Sequence, residues 1–291
     1  MAHEPTITLN GVTKVYSNGT VAVQDFNLVL GEGQFVSLVG PSGCGKSTVL
    51  RLIAGLGKVS LGNIHWGGEY SQRDLAFVFQ DAALMPWATV RENVRLPLKL
   101  AGVPKAIADT VIQEAIQLVD LQGFEHAYPR ELSGGMKMRV SIARALVTKP
   151  EILLMDEPFG ALDEMTRSRL NSDLLNLWSQ KHWTVVFVTH NIYEAVYLSN
   201  RVVVMTARPG RVVADVAIAA PYPRTEEFRT SPLFNEYCRQ ISTALSQAVS
   251  APPTPFNTSG TIISRLIMRL KWIPRTLISL VQNCRRHVDP C

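Results

Sequence analysis

Strand-like runs rich in apolar residues recur through the first two hundred or so positions: Thr6–Leu9, Phe26–Leu30, Phe35–Val39, Leu75–Phe79, Ile152–Met155, Val185–Thr189 and Val202–Met205. The later of these are continuous apolar runs, which predicts strands buried on both faces. Between them apolar positions recur at helical spacing over Lys46–Ala54, Ala106–Val119, Met138–Val147 and Arg167–Leu177. Strands and helices that alternate in this order predict an α/β domain built on a largely parallel sheet.

The stretch from Val90 to Glu131 breaks the alternation. It reads as helical, with Pro97, Pro104 and Pro129 marking turns, and predicts a helical subdomain over about 90–135 inserted into the α/β core. The pattern weakens after Ala220. The reading places a domain over 5–235, a terminal helix over 236–250, a Pro-rich linker over 251–260 and a basic amphipathic tail over 261–291.

Charge changes this picture only once it is located. The net charge of +5 equals the balance of six basic residues against Asp289 between Thr261 and Cys291, so the remainder of the chain is neutral. A neutral body argues against a nucleic-acid partner. The tail carries apolar residues at helical spacing beside its cations and Trp272, which suits an anionic membrane surface or a permease flank, or a helix packed on its own domain. The longest run free of charged side chains, Gln240–Ser264, contains three prolines and does not read as a membrane span. The N-terminal Met-Ala-His-Glu-Pro lacks the features of a signal peptide, so a cytosolic chain is expected. Cys44, Cys238, Cys284 and Cys291 form no CxxC pair and read as free thiols.

Chemistry enters with Gly40-Pro41-Ser42-Gly43-Cys44-Gly45-Lys46-Ser47-Thr48, which fits GxxxxGK[ST] between a strand and a helix. Glycines let backbone amides turn inward around a β-phosphate, and the helix points its positive end at the anion. Lys46 would reach the β- and γ-phosphates of a nucleotide, and the Ser47 hydroxyl would ligate Mg²⁺. The strand Ile152–Met155 ends in Asp156-Glu157. Asp156 is placed to hold Mg²⁺, and Glu157 to orient or deprotonate a water that attacks the γ-phosphate. Ser133, with the Gly134 and Gly135 amides at a helix start, makes a second anion site.

Leu132-Ser133-Gly134-Gly135-Met136 resembles the signature motif of the ATP-binding-cassette (ABC) ATPases, in which Met136 replaces the more common glutamine. The resemblance covers roughly residues 5–220 and implies a P-loop ABC ATPase fold, with a parallel core sheet, an antiparallel β subdomain and an inserted helical subdomain. It implies that Ser133–Met136 cap the γ-phosphate held by another subunit, and that Tyr16, 24 residues before Gly40, stacks on adenine. It further implies that Gln80 touches Mg²⁺ or the attacking water and senses the membrane partner. Asp163 would cross the dimer interface, and His190, 33 residues after Glu157, would face the γ-phosphate. Two such ATPase domains, identical in a homodimer, would sandwich two ATP molecules head to tail and drive transmembrane permease subunits.

Leu84-Met85-Pro86-Trp87, Phe159–Asp163, Ala207–Arg211 and Pro221–Arg224 look like the nitrate, sulfonate, taurine and bicarbonate importer branch. That branch implies a periplasmic or lipid-anchored binding protein and a peripheral position at the cytoplasmic face of the inner (plasma) membrane. Alternatives are a non-transport ABC ATPase on nucleic acid or ribosomes and the ATPase of a split exporter. Only 84 positions separate Thr48 from Leu132, which leaves no room for the coiled coils of chromosome-maintenance relatives.

Overall fold

The computed structural model describes residues 5–68, 70–71 and 74–250, so the expected linker and basic tail lie outside the described residues. Nine strands and eight α-helices are found in them: β1 Ile7–Val15, β2 Val21–Leu30, β3 Phe35–Val39, α1 Lys46–Ile53, β4 Leu61–Trp66 and β5 Leu75–Val78. After these come α2 Val90–Leu100, α3 Lys105–Leu118, α4 Gly134–Leu146, β6 Ile152–Asp156, α5 Glu164–Lys181 and β7 Thr184–Val188. The last elements are α6 Ile192–Leu198, β8 Arg201–Met205, β9 Val212–Ala217, α7 Glu226–Thr230 and α8 Pro232–Ser250.

Two sheets form. One is antiparallel, ordered β2-β1-β4; the other is ordered β5-β6-β7-β3-β8-β9, parallel except for its edge strand β9. Residues alternate along each central strand between two cores. Leu38, Leu154, Val186 and Val203 pack with Ile7, Phe26 and α1 residues Val49, Leu50 and Ile53. Their neighbours Val39, Leu153, Val185 and Val204 pack on the other side with residues of α4, α5, α6 and α8. Both faces are covered, which is why these strands lack a polar alternation.

β4 and β9 were not expected: β4 interrupts its apolar residues with Gly62, Asn63 and His65, whereas β9 is apolar except for Asp215. β4 is half-exposed along its whole length and β9 is the outer edge of its sheet, so each buries little side chain. Pro97, expected at a turn, lies inside α2. The helix holds because Thr89 and Glu92 form a capping box at its start while Val90, Val94 and Leu98 are buried. α4 starts at Gly134 rather than Met138, because Ser133 accepts from the Met136 amide and caps the two glycines into the first turn. The terminal helix is longer than expected and begins at Pro232, where a missing N–H costs nothing.

This topology gathers residues from distant parts of the chain. β6 pairs with β7 so that Asp156 faces Val188, and β7 pairs with β3 so that Val188 faces Leu38. The segments after β3, β6 and β7 therefore emerge side by side at the carboxyl edge, where open α/β sheets bind ligands.

Candidate active site

Gly40–Thr48 leads from β3 into α1, and Gly45 caps that helix with φ 106°, a backbone conformation that excludes most side chains. A Cβ there would also stand 2.7 Å from Ala22 O, so β2 presses directly on the loop. Lys46 is buried and donates to Gly40 O at 2.9 Å and Pro41 O at 3.2 Å, which folds its amine back across the loop. Ser47 Oγ donates to Asp156 Oδ1 at 2.8 Å. Burial raises the Asp156 carboxyl above its ordinary value, while the Ser47 bond pulls it back. A buried carboxylate beside a hydroxyl is a hard-oxygen set suited to Mg²⁺, whose charge would favour the ionised form.

Glu157 adopts φ 46°, a left-handed conformation uncommon for a side-chain-bearing residue. Its amide donates to Val188 O at 2.9 Å and its carbonyl accepts from Gly160 N at 3.1 Å, so two backbone bonds fix it. Its carboxylate lies 3.0 Å from His190 Nδ1 and 3.8 Å from Lys46 Nζ. A carboxylate between an imidazole and an amine on the wall of a cleft has the chemistry to orient a water.

A cleft of about 550 Å³ opens over this edge. Its walls include Ser42–Thr48, Glu157, Gln80 and Tyr16. Tyr16 is half-exposed at the cleft mouth, with its hydroxyl 3.3 Å from Thr48 Oγ1 and Lys14 Nζ 5.3 Å from its ring centroid. Cys44 belongs to the wall, but its side chain is buried and burial raises its thiol pKa.

A family model described as ABC transporter matches residues 23–160. The aliphatic sulfonates import ATP-binding protein SsuB of Bacillus cereus is 47% identical over 242 residues, which cover 81% of this chain and 94% of that protein. The chain belongs to the ABC transporter family. SsuB of Bacillus anthracis is also 47% identical, over 227 residues that span 76% of this ABC ATPase and 89% of the relative. Among solved structures it resembles the dimeric cassette MJ0796, at 35% identity and a TM-score of 0.64 over 74% of the chain and 100% of that cassette. It also resembles cbiO1 of Clostridium perfringens, part of an ABC transporter complex, at 25% identity and a TM-score of 0.69 over 82% of the chain and 100% of cbiO1. The ABC ATPase thus binds and hydrolyses ATP as a transporter subunit, and cassettes of its kind dimerise.

The signature residues of the ABC ATPase stand apart from its own phosphate loop. Among the described residues, none of Ser133, Gly134, Gly135 and Met136 lines the cleft. Ser133 Oγ takes the Met136 amide, while the exposed Gly134 at the start of α4 leaves an amide with no intrahelical acceptor, which suits an anion. Asp163 caps α5 by accepting from Thr166 N at 3.0 Å, and that bond holds its carboxyl below the usual range. The signature turn and the Asp163 turn touch, because a Cβ on Gly134 would lie 3.2 Å from Leu162 Cδ2.

Three features escaped sequence reasoning. Arg208 reaches the cleft and donates through Nε to Gly43 O at 2.7 Å; the sequence marked Ala207–Arg211 as a branch feature but gave it no place in the cleft. The segment after Gln80 is clamped from two helices: Arg144 of α4 donates to Ala82 O and Ala83 O at 2.6 and 2.8 Å, and Asn93 of α2 accepts from Met85 N at 2.8 Å. Beside His190, Thr189 Oγ1 donates to the buried Glu194 carboxyl, and Asn191 Oδ1 accepts from Glu194 N at 3.2 Å. Asn191 with Glu194 three residues on follows the helix-start spacing, but no spacing rule marks the Arg208, Arg144 and Thr189 contacts.

Proposed function

We propose that the ABC ATPase energises uptake of a small sulfonated or similar anion through separate permease subunits fed by a binding protein. The observation that carries the ATPase half is the Glu157 carboxylate held between Lys46 and His190, beside the Ser47–Asp156 pair. The import half rests on the similarity to sulfonate import proteins along most of the chain and on the Leu84–Trp87 and Ala207–Arg211 segments.

In this reading the loop 40–48 cradles the phosphates and Tyr16 stacks on adenine. Ser47 and Asp156 would hold Mg²⁺ with Gln80 nearby, and the ion would supply positive charge at the transferred phosphoryl group. Glu157 accepts the proton of the attacking water, while His190 holds Glu157 in place and faces the γ-phosphate. Ser133–Met136 and Asp163 act across the interface of a head-to-tail homodimer. The Gln80 segment, clamped to α2 and α4, passes the state of the site to a permease at the cytoplasmic face of the inner membrane. No helix among the described residues is long and apolar enough to cross a membrane, which suits a peripheral subunit. The neutral charge outside residues 261–291 favours no nucleic-acid partner.

The test is growth and uptake. A strain deleted for the chain is expected to lose growth on an alkanesulfonate as sole sulfur source and to regain it with wild type but not with Glu157→Gln. Unimpaired sulfonate uptake in the deletion strain, alongside lost uptake of nitrate, taurine or bicarbonate, would move the substrate within the branch. Intact uptake of all four would sink the import reading.

A further inference from the structure

The loop between β8 and β9 is fastened far more firmly than a connection of its length needs. Thr206 Oγ1 donates to Pro209 O at 2.7 Å and accepts from Arg211 N at 2.9 Å. Gly210 donates to Ala22 O at 3.0 Å and accepts from Gln24 N at 3.0 Å, and Arg211 Nη2 donates to Gln24 Oε1 at 2.6 Å. A Cβ on Gly210 would stand 2.2 Å from Cys44 O, so the loop and the phosphate loop meet backbone to backbone. The side chain this scaffold presents to the cleft is Arg208.

Arg208 is exposed, and its Nε–H is used by Gly43 O. Gly43 has φ 71° and a Cβ there would lie 3.0 Å from Arg208 Nη2, so the guanidinium rests where the glycine leaves room. A guanidinium carries five N–H donors. The Gly43 bond uses one, and neither Nη1 nor Nη2 has a partner among the described residues. If Arg208 served only to brace the phosphate loop, any side-chain donor would do, and a fork with its outer edge toward the cleft would be surplus. A planar cation with paired donors matches a phosphate group in shape as well as charge.

We infer that Arg208 contacts the phosphate chain of the bound nucleotide through its Nη groups while its Nε holds the phosphate loop at Gly43. The inference rests on the nucleotide reading of the cleft. It adds a second cation, supplied from outside the phosphate-loop motif, to the charge that Lys46 supplies.

Equilibrium binding of ATP, ADP and adenosine to the full chain tests this, with Arg208→Gln, Arg208→Lys and Lys46→Ala compared to wild type. Arg208→Gln retains a donor for Gly43 O. It should bind ATP and ADP about tenfold more weakly, with a shallower dependence on salt concentration, and adenosine as wild type does. Arg208→Lys, a point charge without the fork, should fall between. Unchanged ATP and ADP affinity in Arg208→Gln overturns the inference, as does an equal loss toward adenosine, which would report a distorted cleft. Should Arg208→Gln fail to fold, Arg208→Lys decides alone: undiminished ATP and ADP affinity overturns the inference. Lys46→Ala separates the two layers, because full ATP binding in that variant would overturn the nucleotide reading itself.

Discussion

Gly135 lies buried in the first turn of α4, and a Cβ built on it would stand 2.7 Å from Thr166 Cγ2 on α5. Two terms of opposite sign govern Gly135→Ala. Alanine in place of glycine within a helix stabilises by about 0.5–1 kcal/mol. Forcing a methyl well inside contact distance of a β-branched neighbour, whose χ1 is stiff, costs about 1–3 kcal/mol. The clash wins, and the variant should lose about 1 kcal/mol. The next nearest atom, Leu170 Cδ1, is 3.8 Å away and does not object. In a Thr166→Ser background the offending methyl is gone, so the same glycine-to-alanine change should turn mildly stabilising. Urea unfolding of the four proteins measures this directly, provided the m-values agree. An equal destabilisation by Gly135→Ala in both backgrounds would refute the packing argument. The signature amides ride on this turn, so ATP turnover should fall in the single variant and recover in the double.

Three further outcomes are expected. Glu157→Gln should keep ATP binding and lose turnover by about 10²-fold or more, measured as phosphate release; near-normal release would remove Glu157 from the proton-accepting role. Arg224 is buried and donates to Val196 O, Tyr197 O and Ser199 O at 2.8, 3.0 and 2.9 Å, so Arg224→Ala strands the last carbonyls of α6. The expected cost is about 3–5 kcal/mol, visible as a Tm lowered by about 10 °C in a thermal melt. Burial pushes the Cys238 thiol up to about 11 from its ordinary 9.0. Its folded value exceeds the unfolded one, so this contribution to stability is intact below pH 9 and declines as pH rises toward 11. At pH 8 iodoacetamide should label Cys238 about a hundredfold more slowly in the native chain than in urea, read by mass spectrometry.

What the sequence made legible follows from burial. Strands with both faces covered, such as β6 with Leu153 on one side and Leu154 on the other, must be apolar at every position and announce themselves. β4 has exposed or half-exposed residues throughout and mixes Gly62, Asn63 and His65 into its run, which leaves it close to a loop in pattern, whereas β9 is an edge strand whose run is apolar except for Asp215, a cue the sequence did carry. Local motifs carried their geometry with them, because the 40–48 loop and the Ser133 cap are made by near neighbours in the chain. The contacts that turn those motifs into one site are different. Ser47 meets Asp156 across 109 positions and His190 meets Glu157 across 33, and both depend on the order β6-β7-β3, which no local pattern encodes. Arg208 is the extreme case, brought to Gly43 across 165 positions by a loop that resembles a branch feature but says nothing locally about the cleft.

The separation of the Ser133 end of α4 from the cleft of the same chain has a genetic consequence. In the head-to-tail pair proposed above, each composite site draws its phosphate loop from one chain and its signature from the other. A chain defective at Lys46 and a chain defective at Ser133 would be inactive as pure populations, since every site in each pair is damaged. Mixed pairs differ, because one site collects both lesions and its companion collects none. Two null alleles of a single gene would therefore complement one another in the same cell, whereas two alleles that both damage the phosphate loop would not.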